Sequence, residues 1–166
     1  GGDSNYSVGL LTNGNIIISK VNGVTEKTKA MKTLKQNIEG NIGSRNVYLA
    51  QKYNTAVGSN HAEMCIIAAA KAMGVTLKII YCSGPHCAFC STMMETCGVS
   101  LGNKGGDAKQ MGWTHPFVPL SYGQQQGAVA EQLTELRKLP KEPREEEIQF
   151  GAWGHKVPSG KYTLLI

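Results

Sequence analysis

The stretch that decides the reading runs from Asn60 to Cys90. It contains Asn60-His61-Ala62-Glu63-Met64, a small apolar helical run, a β-rich run, and then Pro85-His86-Cys87-Ala88-Phe89-Cys90. One histidine, one glutamate and a C-x-x-C pair make the ligand set of a catalytic zinc site with a proton shuttle beside it. Positions i and i+2 of a helix point to nearly opposite sides. His61 and Glu63 can therefore converge on one ion only where the helix begins. The sequence supplies that beginning: Ser59 or Asn60 is a good N-cap, and an apolar run follows from Ala62 to Met73. In the second half, Gly84 reads as a cap and Pro85 as a first helical residue, which places Cys87 and Cys90 on one face of a first turn. Free N–H groups and the helix dipole favour thiolates there. Two thiolates and an imidazole leave a fourth position for water.

Each piece has a plainer reading. Asn60-x-x-Glu63 is also a capping box, in which Glu63 bonds the cap amide. A C-x-x-C pair alone serves in redox proteins or as half of a structural zinc knot. It is the combination, joined by one helix and one strand, that specifies a catalytic zinc site.

The 166 residues suffice for one domain with a core of its own. The formal charge of +5 and a pI near 9.0 favour an anionic partner. Five cysteines, Cys65, Cys82, Cys87, Cys90 and Cys97, are an odd number without framework spacing, which argues against a disulfide scaffold. Cys65, Cys82 and Cys97 are expected to be packed core thiols. No apolar run is long enough to span a bilayer, and no signal-peptide pattern is present. The Gly1-Gly2 start, with a strand following almost at once, is expected of a piece cut from the C-terminal end of a longer polypeptide.

Outward from the motif, Asn5–Leu11 and Asn15–Val21 flank Asn13-Gly14, a strong hairpin signal. Val24–Ile38 has the spacing of an amphipathic helix bearing Lys27, Lys29, Lys32 and Lys35. These lysines, with Arg45 and Lys52, form either a solvated face or a phosphate-facing patch. Asn46–Leu49 is a short extended piece. The helix from His61 to Met73 is apolar almost all round, hence buried, and Gly74 ends it. Thr76–Cys82 is a central strand, which puts the site at its C-terminal edge. The second helix is expected to reach Cys97. Leu101–Gly112 reads as a loop, Phe117–Tyr122 as a strand near an edge, Ala128–Leu139 as a helix, and Ile148–Trp153 and Tyr162–Ile166 as final strands.

The hairpin, the helix with H-A-E, the strand and the P-x-C-x-x-C element together resemble the zinc-dependent cytidine deaminase-like superfamily, over about Tyr6 to Cys97. The resemblance implies an α/β chain with a three-layer α/β/α fold, built on a five-stranded mixed sheet that starts with an antiparallel hairpin, with zinc at two helix N-termini. It implies that His61, Cys87 and Cys90 hold Zn2+ and that Glu63 is the general acid/base. One departure is plain: Pro usually stands immediately before the first Cys, and here His86 intervenes. The helix start is then open to a shift, and Ala62, Pro85 and His86 are expected to border the substrate pocket. Asn22 resembles a position that touches the sugar in related deaminases. Trp113 and His115 lie where the superfamily has substrate-flanking loops and are candidates to stack on bases, whereas Phe117 is expected in the core.

Within the superfamily the wording H-A-E-M-C…P-H-C-A-F-C is most similar to the deaminase toxin domains of bacterial polymorphic toxins. That implies a single domain over 1–166, secreted or injected, acting as a monomer on cytosine in single-stranded DNA in the cytoplasm of a target cell, and opposed by a cognate immunity protein. RNA, duplex DNA and free cytidine nucleotides stay open as substrates, and adenine as the base. Two other classes stay open as well: a non-catalytic zinc-stabilised nucleic-acid-binding module, which would need a fourth ligand from His86 or Cys82, and a thiol–disulfide protein using Cys87 and Cys90.

Overall fold

Asn13-Gly14 turns the start of the chain back on itself. The Leu11 N–H donates to the Asn15 carbonyl at 2.8 Å, the Asn13 side chain accepts from the Asn15 N–H at 2.9 Å, and Gly14 takes a φ of 90°. The strands so joined are β1, Tyr6–Leu11, and β2, Ile16–Lys20, antiparallel with Leu10 opposite Ile16. This is the hairpin the sequence predicts. The computed structural model describes residues 6–23, 47–53, 59–106, 112–118, 120–122, 128–142 and 163–164. The predicted helix Val24–Ile38 and strand Ile148–Trp153 lie outside them.

The chain is mixed α/β. Beyond the hairpin come β3, Val47–Leu49; β4, Leu77–Cys82; β5, Ser100–Leu101; and β6, Thr163–Leu164. Their order in the sheet is β5-β4-β1-β2-β3-β6. The β1–β2, β1–β4 and β3–β6 pairs are antiparallel, and the β2–β3 and β4–β5 pairs are parallel. The expected five-stranded mixed sheet is therefore present as β3-β2-β1-β4-β5, with the two-residue β6 added at its edge. Three helices are described: α1, Ala62–Met73; α2, Ala88–Thr96; and α3, Val129–Arg137.

Helix α1 forms because nothing between Ala62 and Ala70 interrupts an apolar, helix-favouring run, and it ends at Gly74, which takes the left-handed φ of 72°. It lies against β1, β2 and β4. Every residue from Ala62 to Ala70 is buried, as expected of a helix apolar on all sides. The close approach to the sheet depends on Gly9. A Cβ there would stand 2.7 Å from Cγ2 of Ile66 and 2.9 Å from Cδ2 of Leu77. Helix α2 packs on β5 and α3, and Phe89 of α2 meets Trp113 and Tyr122 in an aromatic cluster with ring centroids 5.4 and 5.9 Å away.

Three expectations need correction. β5 takes Leu101, the first residue of the predicted loop, into the sheet, where β4 accepts it as a parallel neighbour. The described residues of Phe117–Tyr122 form no strand, because the N–H groups of Phe117 and Val118 donate to Nδ1 of His115, at 3.0 and 3.2 Å, and cannot serve a ladder. Among the described residues, Thr114 and Ser121 make a single antiparallel bridge there. Cys65 is a core thiol, but Cys82 and Cys97 are only partly buried. Phe117 itself is buried as expected.

The contact at Gly9 is rigid enough to predict an outcome. Gly9→Val should lower stability by about 1–3 kcal/mol through overpacking against Ile66 and Leu77. A lower urea midpoint at unchanged slope is the expected result.

Candidate metal centre

The first half of the site is the N-terminal end of α1. His61 is the residue at the helix boundary, extended with φ −62° and ψ 146°, and its carbonyl accepts the Cys65 N–H at 3.0 Å. His61 thus stands before the first turn, which frees it from the angular restriction between positions i and i+2. The expected cap at Ser59 or Asn60 is not used. Asn60 is held sideways instead: its Oδ1 accepts the Tyr53 N–H at 3.1 Å, its N–H donates to Oδ1 of Asn22 at 3.1 Å, and its carbonyl accepts the Asn22 N–H at 2.7 Å. The capping box is likewise not formed, because the Glu63 carboxylate turns to His86.

The second half is the N-terminal end of α2. Here the cap is Cys87, extended with φ −67° and ψ 166°, and its Sγ accepts the Cys90 N–H at 3.3 Å. The expected cap at Gly84 and helical start at Pro85 are overturned. His86 makes a parallel bridge with Gly105, donating its N–H to the Lys104 carbonyl at 2.9 Å, so the backbone stays extended up to Cys87.

These two helix N-termini meet. Nδ1 of His61 is 3.7 Å from Sγ of Cys87 and 3.4 Å from Sγ of Cys90, and all three atoms lie within 4.8 Å of one another. Both sulfurs are buried and His61 is half-buried. This trio can hold a metal ion. Among the described residues, no fourth His, Cys, Asp or Glu joins the same group. The hydrogen bond involving Cys90 brings the Cys87 thiol down to about 5 against the opposing effect of burial, with help from His61. Burial, with Cys87 beside it, holds the Cys90 thiol well above the usual range. The pair thus offers one ready thiolate before any cation arrives. The Trp113 indole N–H also donates to Sγ of Cys90, at 3.3 Å.

Glu63 stands beside this group with a tenth of its side chain exposed. Its Oε2 is 3.1 Å from Nδ1 of His86, whose side chain is fully buried. Burial pushes the Glu63 pKa up. The His86 hydrogen bond, a backbone bond and the two nearby imidazoles outweigh it and leave the carboxyl below its ordinary value. Glu63, His86 and Cys82 make a second close trio, with Sγ of Cys82 3.3 Å from the same Nδ1.

The remaining predicted site residues divide clearly. Ala62 is buried in the first turn of α1 and Pro85 is exposed just before His86. Asn22 is exposed, with a left-handed φ of 67°, and braces Asn60. Trp113 and His115 are fully buried, their rings 6.2 Å apart edge to face, so Trp113 meets the centre through Cys90. Sequence reasoning missed Asn60 as a brace and Tyr53, whose hydroxyl donates to the Thr114 carbonyl at 2.6 Å. It also missed Asn103, which holds β4 and His86. No spacing signal marks these three, whereas His86 stands out as a departure from the motif.

Two outcomes are expected. The purified chain should carry one equivalent of metal by elemental analysis, and His61→Ala, Cys87→Ala or Cys90→Ala should each weaken its hold at least about tenfold. His115 provides the second. Burial lowers its pKa to about 4, and Nδ1 already accepts two N–H groups. The folded pKa lies below the unfolded value near 6.5, so stability is intact above about pH 6.5 and declines as the unfolded chain alone takes up the proton, down to about pH 4. The loss should reach about 3 kcal/mol from this group, and the His115 ring should stay neutral by NMR until the pH nears 4.

Compared with protein-family models, with curated proteins and with solved structures, the chain finds no match in any of the three.

Proposed function

We propose that this chain is a zinc-dependent hydrolytic deaminase that converts cytosine to uracil in single-stranded DNA, on a deaminase-like three-layer fold. The observation that carries the reading is the open trio His61, Cys87 and Cys90 with the Glu63 carboxylate two residues beyond the first ligand. The donors fit zinc. Bonds of about 2.3 Å to sulfur and about 2.0 Å to nitrogen at tetrahedral angles set N···S distances of roughly 3.6 Å. The observed 3.4 and 3.7 Å bracket that value. A closed structural zinc centre would need a fourth protein ligand, and among the described residues Cys82 and His86 fall in the other group.

When bound, zinc makes water a nucleophile near neutral pH by lowering its pKa. The chain's own part is proton traffic and orientation. Glu63 accepts a proton from the attacking water and gives it to the ring nitrogen beside C4. A C4–O bond forms, and Glu63 then takes the remaining proton from the new C4 hydroxyl and passes it to the exocyclic amine. The C4–N bond breaks, ammonia leaves and uracil remains, with no covalent enzyme intermediate. Burial of Glu63 suits this work, since a largely dehydrated carboxylate exchanges protons with its neighbours rather than with bulk water.

The polymer substrate is supported by the charge of +5, which attracts phosphate, and by the low cost of presenting an unpaired base. The basic stretch Val24–Ile38, predicted as a helix, lies outside the described residues. The same reading carries action as a mutagenic or toxic effector in a target cell, countered by an immunity protein.

Glu63→Ala should keep its metal and fold while losing at least about 100-fold in turnover. Uracil-dependent cleavage of single-stranded DNA, duplex DNA and RNA, beside a product assay on free cytidine and on adenine-containing substrates, ranks the candidates. Single-stranded DNA should lead, with activity falling steeply as salt rises. Full activity of Glu63→Ala, or no deaminated product from the zinc-loaded chain on any substrate, would overturn the reading.

A further inference from the structure

We propose that His86 is a positioning residue for Glu63: a neutral imidazole whose Nδ1–H clamps one carboxylate oxygen and leaves the other to carry the proton. The reaction it serves rests on the deaminase reading above, whereas the clamp rests on hydrogen-bond geometry.

The tautomer follows from Asn103. Its backbone N–H points at Nε2 of His86 from 3.2 Å. A backbone N–H can only donate, so Nε2 holds a lone pair and the ring hydrogen sits on Nδ1. Nδ1 has two neighbours, Oε2 of Glu63 at 3.1 Å and Sγ of Cys82 at 3.3 Å. The carboxylate is the stronger acceptor, and the Cys82 thiol donates elsewhere, to the Gly84 carbonyl at 2.7 Å. Burial makes the ring less basic, while Cys82 and Glu63 make it more so, up to about 9. A second proton would have to sit on Nε2, head-on to the Asn103 hydrogen. These two influences oppose each other, and the donor contact is the stricter one, since it admits no hydrogen at Nε2. The same tautomer removes Glu63, Cys82 and His86 as a second metal site, because an Nδ1 bearing hydrogen offers no lone pair.

The ring cannot swing away. The His86 backbone is bonded on both sides, N–H to Lys104 and carbonyl to the Gly106 N–H at 2.5 Å. The Asn103 side chain brackets Cys82, accepting its N–H at 2.8 Å and donating to its carbonyl at 2.9 Å. Gly102 allows this loop to lie on β4, since a Cβ there would stand 2.5 Å from both the Ile80 carbonyl oxygen and the Tyr81 ring. The inserted residue between Pro85 and Cys87 is thus locked to the sheet edge, and through it so is one oxygen of Glu63. A general base held in one orientation keeps its free oxygen on the substrate side, and small misplacements there cost on the order of 10–100-fold in rate.

Two measurements test this separately. In the zinc-loaded chain, long-range 1H–15N spectra should show His86 with hydrogen on Nδ1 and a bare Nε2, and Glu63→Ala should shift the Nδ1–H signal. Hydrogen on Nε2, in either the other tautomer or a doubly protonated ring at neutral pH, overturns the clamp whether or not the chain deaminates anything. In kinetics on a substrate the wild type turns over, His86→Ala should lower kcat about 10–100-fold with KM within about threefold and metal content unchanged. His86→Asn, whose amide N–H stands near the Nδ1 position, should recover most of that loss. Wild-type kcat in His86→Ala, or no recovery in a folded, metal-loaded His86→Asn, overturns the proposal. The expected tautomer in a chain that deaminates nothing upholds the clamp and sinks the deaminase reading alone.

Discussion

Helix α1 buries nine consecutive residues, Ala62–Ala70, against a sheet that admits it only because Gly9 carries no side chain. Met64, Ile66 and Ile67 are each fully buried, and each contributes roughly 1.5–3 kcal/mol by leaving water. A helix so buried has no room to rotate or slide, since any shift drives Ile66 into the seam between β1 and β4. Its buried charged group, Glu63, lies in its first turn, and the packing aims that turn at the place where β4 delivers the segment from Cys82 to Cys90. The site is a consequence of where α1 must begin.

The N-termini of α1 and α2 solve different problems. Cys87 caps its own helix through sulfur, so the backbone that needs a partner and the atom that would hold a metal are served by one residue. His61 gives no side-chain bond to its helix, and its imidazole stays available to the two sulfurs. Asn60, braced by Asn22 and Tyr53, supplies the rigidity that a capping side chain would otherwise provide. Glu63 is a carboxylate taken largely out of water, which is costly unless it is hydrogen-bonded. His86 provides that bond from the loop that precedes Cys87. The residues that could hold a metal, the carboxylate and its clamp all lie at the starts of α1 and α2 and in the segment between β4 and α2.

Much of this is legible in the sequence because it is local. The Asn13-Gly14 hairpin, the extent of α1 up to Gly74 and the ligand types in H-A-E and C-x-x-C depend on residues near one another in the chain. The failures share a cause. Pro85 reads as a helix start because Pro is well suited there, but His86 is bound to Gly105 across nineteen positions, and that bridge keeps the segment extended. Phe117–Tyr122 reads as a strand near an edge, yet the His115 imidazole takes two of its N–H groups. Asn60 has every property of a cap and is used as a lateral brace.

The amino-acid sequence by itself determined the donors: one imidazole and two thiols at helix-start spacing, with a carboxyl two residues past the imidazole. It assigned His61 to the sulfurs and set His86 beside the pocket, with a fourth-ligand role only in the non-catalytic alternative. Only the tertiary structure gave each ring its place: Nδ1 of His61 lies 3.7 and 3.4 Å from the two sulfurs, whereas His86 falls with Glu63 and Cys82. The Asn103 amide reaches His86 from a loop laid down by β5, and a donor aimed at Nε2 makes Nδ1 a hydrogen-bond donor to Glu63 rather than a ligand. Local spacing sets which atoms are near in the chain; the direction of a distant N–H sets what each of them can do.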